Sequence, residues 1–126
     1  MDVVVEVGGW EHQCCGEAVE RGQLVDFRCI RSAGPDGRVR LSESHHGGLD
    51  VPAGERVQGR VVDIAVVREG AAPVPVLRLP SGRALGGSDE HDDGHLEDPW
   101  TGEVVAPVSE DFLVTVRTAR SPSGPR

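Results

Sequence analysis

The sequence QLVDFRCIRSAGPDGRVRLSE, residues 23–43, decides the fold. Apolar and polar side chains alternate over Gln23–Ile30 and again over Arg38–Glu43, which is the period of a β-strand with one buried face. Between them stands Gly-Pro-Asp-Gly, which is typical of a tight turn because Pro fixes one φ angle and Gly accepts conformations closed to other residues. The segment therefore predicts a β-hairpin with its turn centred near Asp36.

Alternating, Val-rich segments on both sides of this hairpin predict the other strands. They lie at Val3–Val7, Arg56–Glu69 and Asp111–Thr118. In the longest of them Gly59 indicates a bulge or a sharp bend, since small barrels turn their corners at such residues. A second hairpin is predicted to run from VPVLRL through the turn PSGR to a short return at Ala84–Leu85.

The sequence GEAVERG, residues 16–22, predicts the only helix, a short one that ends at Gly22. Five or six short strands, one of them bent at a Gly, with a helical turn after the first strand, predict an all-β fold of the small SH3-like or OB-like barrel type. An open β-sandwich is the alternative. We expect a single domain over residues 1–118 and a disordered tail at 119–126, which has nothing to bury.

Acidic residues are concentrated in one part of the chain. The net charge is −8, and eight of the 21 acidic residues lie between Ala84 and Glu110, a stretch without Arg, whereas the rest holds 13 acids and 13 Arg. Residues 86–110 are also poor in apolar side chains, so we expect a long acidic loop within the domain, anchored to the barrel by Trp100. Because phosphate and anionic lipid need a cationic surface, this balance argues against nucleic acid and membranes as partners.

Composition also indicates where the protein works. All 13 basic residues are Arg, and Lys, Asn and Tyr are absent, as expected of a GC-rich genome. No apolar run approaches the roughly 18 residues of a membrane-spanning helix, and the first residues lack the features of a secretion signal. An odd number of Cys, three, indicates free thiols in a reducing compartment. We therefore expect a cytoplasmic protein.

Cys and His residues gather in two short segments that the hairpin brings together. HQCCGE precedes the first strand of the hairpin, and ESHHGG begins at the end of its second strand. The open end of the hairpin therefore brings Cys14 and Cys15 near His45 and His46. Two thiolates and two imidazoles are a usual ligand set of a tetrahedral zinc ion. The sequence thus predicts a zinc site at this corner, with His12 beside it.

The spacing of the ligands limits this prediction. Zinc knuckles use Cys-x-x-Cys, whereas adjacent residues of an extended chain point in opposite directions. Either a tight turn at Gly16 brings both sulfurs inward or only one residue of each pair binds the metal. Cys29 shares the face of Phe27 and is assigned to the core. Plain packing, a Cys nucleophile with a neighbouring His as base, and a second metal site at His91 and His95 are the alternatives.

Several of these motifs resemble a family of small actinobacterial proteins built on a domain of unknown function. The resemblance rests on Trp-x3-Cys-Cys-Gly at Trp10–Gly16, on His-His-Gly at residues 45–47 and on the strand around Gly59, and it covers about the first half of the chain. It implies a cytoplasmic bacterial protein and supplies no activity.

The chain contains none of the common motifs of serine hydrolases, zinc proteases or nucleotide-binding proteins, which leaves three functions open. The first is a non-enzymatic β-barrel module, stabilised by zinc at the Cys/His corner, that binds a protein partner or a small ligand. The second is a metal-dependent enzyme at the same corner, with Glu11, Glu17 or Glu43 as general base. The third is a metal-free module that acts through the acidic loop. We favour the first, because so small a barrel has little interior for a substrate.

Overall fold

The computed structural model describes residues 2–9, 12, 16–33, 39–43, 55–67, 72–105 and 111–118. In this part of the chain the strands are β1 (Asp2–Val7), β2 (Val19–Glu20), β3 (Leu24–Ala33), β4 (Val39–Glu43), β5 (Glu55–Val67), β6 (Val74–Pro75), β7 (Arg78–Leu79), β8 (Leu96–Glu97), β9 (Val104–Val105) and β10 (Asp111–Arg117). A short helix, α1 (Gly82–Leu85), follows β7.

Five of the strands close into a barrel. Around the ring the order is β10, β1, β4, β3, β5 and back to β10, while β6 extends the sheet from β5. β1 and β4 run parallel, and the other pairs are antiparallel. Because the pairing of β10 with β5 closes the ring, the prediction of a small all-β barrel is confirmed. Because β1 and β4 run parallel, the chain must cross from one end of the barrel to the other between them.

Alternate residues of the strands fill the interior of the barrel. Val5 on β1 and Phe112 and Val114 on β10 are at most 1% exposed. Phe27 and Cys29 of β3 are buried as well, as the alternation predicted, and both belong to the core cluster. The core therefore depends on many small Val side chains rather than on a few aromatic rings.

β3 and β4 form the predicted hairpin. Cys29 lies opposite Glu43 and Ala33 lies opposite Val39, so the register is symmetric about Asp36 and confirms the predicted centre. β3 continues three residues beyond its predicted end. Residues 34–38, which join the two strands, lie outside the described residues, as do those of the predicted tail.

β5 is long enough to pair with two strands of the ring. Its first half, up to Arg60, pairs with β3, and residues 60–67 pair with β10, with a one-residue shift in register at Val62. The predicted bulge is thus three residues beyond Gly59. Gly59 is required for a different reason: a Cβ there would lie 2.2 Å from the carbonyl oxygen of Arg117, so the two backbones approach too closely for a side chain.

The helix predicted over residues 16–22 is wrong. β2 occupies the middle of that stretch and pairs with β7, and the chain then turns at Gly22, whose φ of 84° favours Gly. Helical backbone occurs earlier, where the amide nitrogen of His12 donates to the carbonyl oxygen of Gly8 over 2.8 Å. Val19 is buried by pairing with β7, and this long-range burial outweighs the weak helical preference of a short segment.

The second predicted hairpin is also wrong. β6 pairs with β5, whereas β7 pairs with β2, so VPVLRL is divided between two sheets. The expected return strand is helix α1. Ser81 caps this helix, since its hydroxyl oxygen accepts a hydrogen bond of 3.2 Å from the amide of Ala84.

Residues 86–110, predicted to be a long acidic loop, pack onto the barrel as far as they are described. β8 pairs with β9, and Leu96 is 1% exposed within the core. Arg78 of β7 donates two hydrogen bonds, of 2.6 and 2.7 Å, to the carboxylate of Asp92. Trp100 is 76% exposed, so the prediction that it anchors the loop is wrong. Leu96 and Asp92 perform that role.

Candidate functional site

A cavity of about 470 Å³ lies beside the first half of β3. Its lining combines apolar side chains from β2 and β3 with polar groups from three separate parts of the chain. The lining residues are His12, Glu17, Ala18, Val19, Gln23, Leu24, Val25, Asp26, Phe27, Arg28 and Glu43. Residues beside both segments of the predicted Cys/His corner line this cavity: His12 and Glu17 next to the first segment and Glu43 next to the second.

The pairing of β3 explains why a cavity forms there. Leu24–Cys29 pair with β5 on one side, but β4 pairs with β3 only from Cys29 onward. Over Leu24–Arg28 none of the described strands lies along the second edge of β3. Glu43, the last residue of β4, therefore stands at one end of the cavity, and the segment that leads into β2 lies beside it.

His12 forms the most buried polar part of the lining. It is 2% exposed, and its Nε2 donates a hydrogen bond of 2.7 Å to the carbonyl oxygen of Pro80, which joins the segment after β1 to the start of α1. Its carbonyl oxygen accepts a hydrogen bond of 2.7 Å from the amide of Gly16. Because Nε2 is engaged with Pro80, His12 serves here as a structural residue, which no pattern in the sequence indicated.

Carboxylates outnumber cations around the cavity. Glu17, Asp26 and Glu43 face a single guanidinium, that of Arg28. The carboxylate of Asp26 is hydrogen-bonded to Arg56 and, over 3.1 Å, to Gln58, and these bonds, first that of Arg56, lower the pKa of Asp26. Asp26 is thus an ionised structural partner, whereas Glu17 and Glu43 remain the candidate acids of the cavity.

The four predicted zinc ligands, Cys14, Cys15, His45 and His46, lie outside the described residues. Their neighbours in the chain, however, are described: His12 and Glu17 flank the Cys pair, and Glu43 precedes the His pair. All three line the same cavity. Among the described residues, no three His, Cys, Asp or Glu side chains are grouped so that they could hold a metal ion.

The alternative His cluster of the acidic segment is a set of ion pairs in the structure. The Nδ1 of His95 lies 2.5 Å from Asp93 Oδ1, and its Nε2 lies 3.4 Å from Glu97 Oε2. The hydrogen bond that His95 donates to Asp93 is the main reason that the pKa of His95 is raised. Asp92 forms an ion pair with Arg78, whereas Asp93 pairs with His95. The two carboxylates that could have joined His95 at a metal ion are therefore engaged with different partners.

Comparison of the chain with models of protein families, with curated proteins and with solved structures found no match. None of the described helices is long and apolar enough to cross a membrane. The described part of the chain is thus a small closed β-barrel with a polar cavity beside β3.

Proposed function

We propose that this protein is a non-enzymatic β-barrel binding module with a zinc ion at the Cys/His corner, held by Cys14, Cys15, His45 and His46. One observation carries the proposal: residues next to both ligand segments line a single cavity. The confirmed hairpin register supports it too, because symmetry about Asp36 was the premise from which we predicted that the segments meet.

Covalent geometry supports a common site. Consecutive Cα atoms are about 3.8 Å apart, so a residue two positions along the chain is at most about 7.6 Å away. Each of the four proposed ligands is only two or three residues from His12, Glu17 or Glu43. Ligands from both segments are therefore within reach of one metal ion beside the cavity.

A metal ion at this corner would add stability to the barrel. Its core holds few aromatic side chains, and small domains with thin cores often gain stability from a structural metal ion. The first half of β3 has a strand on one side only among the described residues. A zinc ion would tie the segment before β2 to the segment after β4 across this open edge.

The test is metal analysis of the untagged protein by mass spectrometry. We expect about one zinc per chain, the stoichiometry of a closed four-ligand site. Cys14→Ser, Cys15→Ser and His46→Ala should each lower the zinc content. Cys29→Ala and His91→Ala, which change the same residue types elsewhere, should keep it. A metal-free wild-type protein whose melting temperature is unchanged by chelator would contradict the proposal.

A metal-dependent enzyme is the second candidate, and the position of two carboxylates favours it. Glu17 and Glu43 both line the cavity beside the proposed metal, where either could take a proton from a bound water. X-ray absorption spectroscopy separates the two functions. Four protein ligands support a structural zinc, whereas three protein ligands and one water oxygen support catalysis.

We further propose that the protein is cytoplasmic and belongs to the actinobacterial family that its first half resembles. The chain has three Cys, an odd number, which fits thiols kept reduced in the cytoplasm. Titration of thiols in the unfolded, metal-free protein should find three free thiols per chain. A disulfide in protein isolated from its native cells would contradict this location.

A further inference from the structure

Trp100 is the most exposed of the large apolar side chains in the described part of the chain, at 76%. The whole sequence contains only two Trp, two Phe and no Tyr. Both Phe are buried in the core. A chain with so few aromatic residues therefore leaves one of the largest on its surface, where it contributes little to folding.

Trp100 stands at the turn of a small hairpin made by β8 and β9, residues 96–105, which we name the Trp100 hairpin. The turn is rigid. The carboxylate Oδ1 of Asp98 accepts hydrogen bonds from the amides of Trp100 and Thr101, over 2.8 and 3.0 Å, and Gly102, with a φ of 75°, donates to the Asp98 carbonyl over 2.9 Å. Binding of a partner at the indole would therefore cost little backbone entropy, because the turn is already ordered before the partner arrives.

The base of the Trp100 hairpin is fixed to the barrel. Leu96 is buried in the core, and the amide of Leu77 donates a hydrogen bond of 2.7 Å to the carbonyl oxygen of Glu97. Val104 and Leu77 are 66% and 41% exposed, so apolar surface is not confined to the indole. The hairpin thus combines a buried base with a projecting apolar tip.

The charge around the tip selects the chemistry of a partner. Glu97, Asp98 and Glu103 belong to the hairpin, and no Arg occurs between Ala84 and Glu110. Two amide donors lower the pKa of Asp98, first that of Thr101, so its carboxylate stays charged. An exposed indole within an acidic segment attracts a guanidinium, which can stack on the ring and pair with the acids. It repels nucleic acid and anionic lipid.

A second copy of this chain is a poor partner for the surface, because the net charge of the chain is −8 and two copies repel each other. Four Arg of the described residues are also engaged in ion pairs: Arg21, Arg56, Arg78 and Arg117. The complementary cation is therefore expected on a different, basic protein.

The geometry points to the Trp100 hairpin as a docking surface for an Arg-rich peptide segment of a partner protein, with Trp100 stacking on a guanidinium and Glu103 pairing with a neighbouring one. This surface is independent of the proposed zinc corner, because none of its residues lines the cavity beside β3.

The probe is a fluorescein-labelled peptide of alternating Gly and Arg, eight residues long, with binding measured by fluorescence anisotropy at 0.15 M salt. We expect saturable binding. Trp100→Ala should weaken it about tenfold, as for a Trp that becomes buried under its partner, and Glu103→Gln should weaken it about two- to threefold. Trp100→Phe should retain most of the affinity. Leu24→Ala, which removes another exposed apolar side chain, should leave it unchanged.

A peptide in which citrulline replaces every Arg keeps the shape without the charge and should not bind. Absence of saturable binding, or equal binding by wild type and Trp100→Ala, would overturn the proposal. Sedimentation analysis tests whether a second copy of the chain occupies the surface instead. Self-association that depends on Trp100 and is unaffected by the Arg peptide would also overturn the proposal. Loss of zinc from the protein should leave peptide binding intact.

Discussion

A Cβ atom at Gly16 would lie 2.0 Å from Nδ1 of His12, so the backbone after the two Cys passes directly against the imidazole ring. The ring cannot move away easily, because its Nε2 is hydrogen-bonded to the carbonyl oxygen of Pro80 inside the protein. His12 and Gly16, which lie on either side of the Cys pair in the sequence, are thus in direct contact. Gly16, which the sequence suggested as the residue that lets the chain turn, is needed because of His12.

Replacing Gly16 with Ala should lower the free energy of unfolding by about 2–3 kcal/mol, the usual cost of forcing extra volume into a packed site. Gly8→Ala is the matched control, since its Cβ would meet nothing closer than 4.0 Å and its effect should be small. Urea unfolding followed by circular dichroism measures both. In His12→Ala the clash is absent, so adding Gly16→Ala to that variant should cost little. Additive costs in the double variant would show that this contact is not the cause.

Arg21 links the turn after β2 to two other parts of the barrel. Its guanidinium donates to the carbonyl oxygens of Val76 and Ile64, over 2.9 and 3.2 Å, and to Asp63 over 2.9 Å. Arg21→Met should therefore cost about 2–3 kcal/mol of unfolding free energy, because it leaves partly buried carbonyls without their charged donor. Thermal and urea unfolding report the loss.

The matched control for this prediction is Arg60→Met. Arg60 is exposed and donates one hydrogen bond, of 2.6 Å, to Gly22, so its removal should cost less than about 1 kcal/mol. Equal losses for the two variants would mean that the bonds of Arg21 to the barrel add nothing to stability.

Asp92 should make the stability of the acidic segment depend on pH. The hydrogen bonds of Arg78, and then of the Gly94 amide, hold the pKa of Asp92 well below its usual range. A carboxylate whose pKa is lowered by folding stabilises the fold above its unfolded pKa of about 3.9 and loses that effect as pH falls further. The difference in unfolding free energy between wild type and Asp92→Asn should thus be constant above about pH 5 and shrink below about pH 4.

Urea titrations from pH 3 to pH 7 measure this difference. Asn keeps an oxygen that can accept from Gly94, but its NH2 group cannot accept the second hydrogen bond of Arg78, so the comparison removes the charge together with that bond. In an Arg78→Met background the pH dependence of the difference should largely disappear. A difference that does not vary over this range would contradict the assignment to the Arg78–Asp92 pair.

Leu96, and not Trp100, should determine the stability of the acidic segment. Leu96→Ala removes a side chain that is 1% exposed and should cost about 2–4 kcal/mol. Trp100→Ala and Val104→Ala change exposed side chains of the same hairpin and should each stay within about 0.5 kcal/mol of wild type. Calorimetric melting separates the cases. A large loss of unfolding free energy in Trp100→Ala would show that Trp100 anchors the segment after all, as the sequence suggested.

The predictions that the structure confirms depend on local patterns. The alternation through Phe27 and Cys29 identified the inward face of β3, and the turn residues around Asp36 set the register with β4, because strand period and turn chemistry act between residues close in sequence. The barrel class followed from the number and spacing of such strands. The proposed zinc ligands rest on residue type and this register, and they stay a prediction.

The wrong predictions concern contacts between residues far apart in the chain. β2 forms because it pairs with β7, and Leu96 replaces Trp100 as the anchor because the folded chain leaves space for it in the core. Likewise His12 is buried because Pro80, 68 residues away, supplies an acceptor.

Local sequence patterns were enough to predict the five strands of the barrel, the central hairpin and the barrel class, because these follow from side-chain period and turn chemistry. The pairing of β5 with β10, the cavity beside β3 and the exposure of Trp100 became visible only in the folded chain. Each of these depends on which distant backbones and side chains find space next to one another, and no local pattern carries that information.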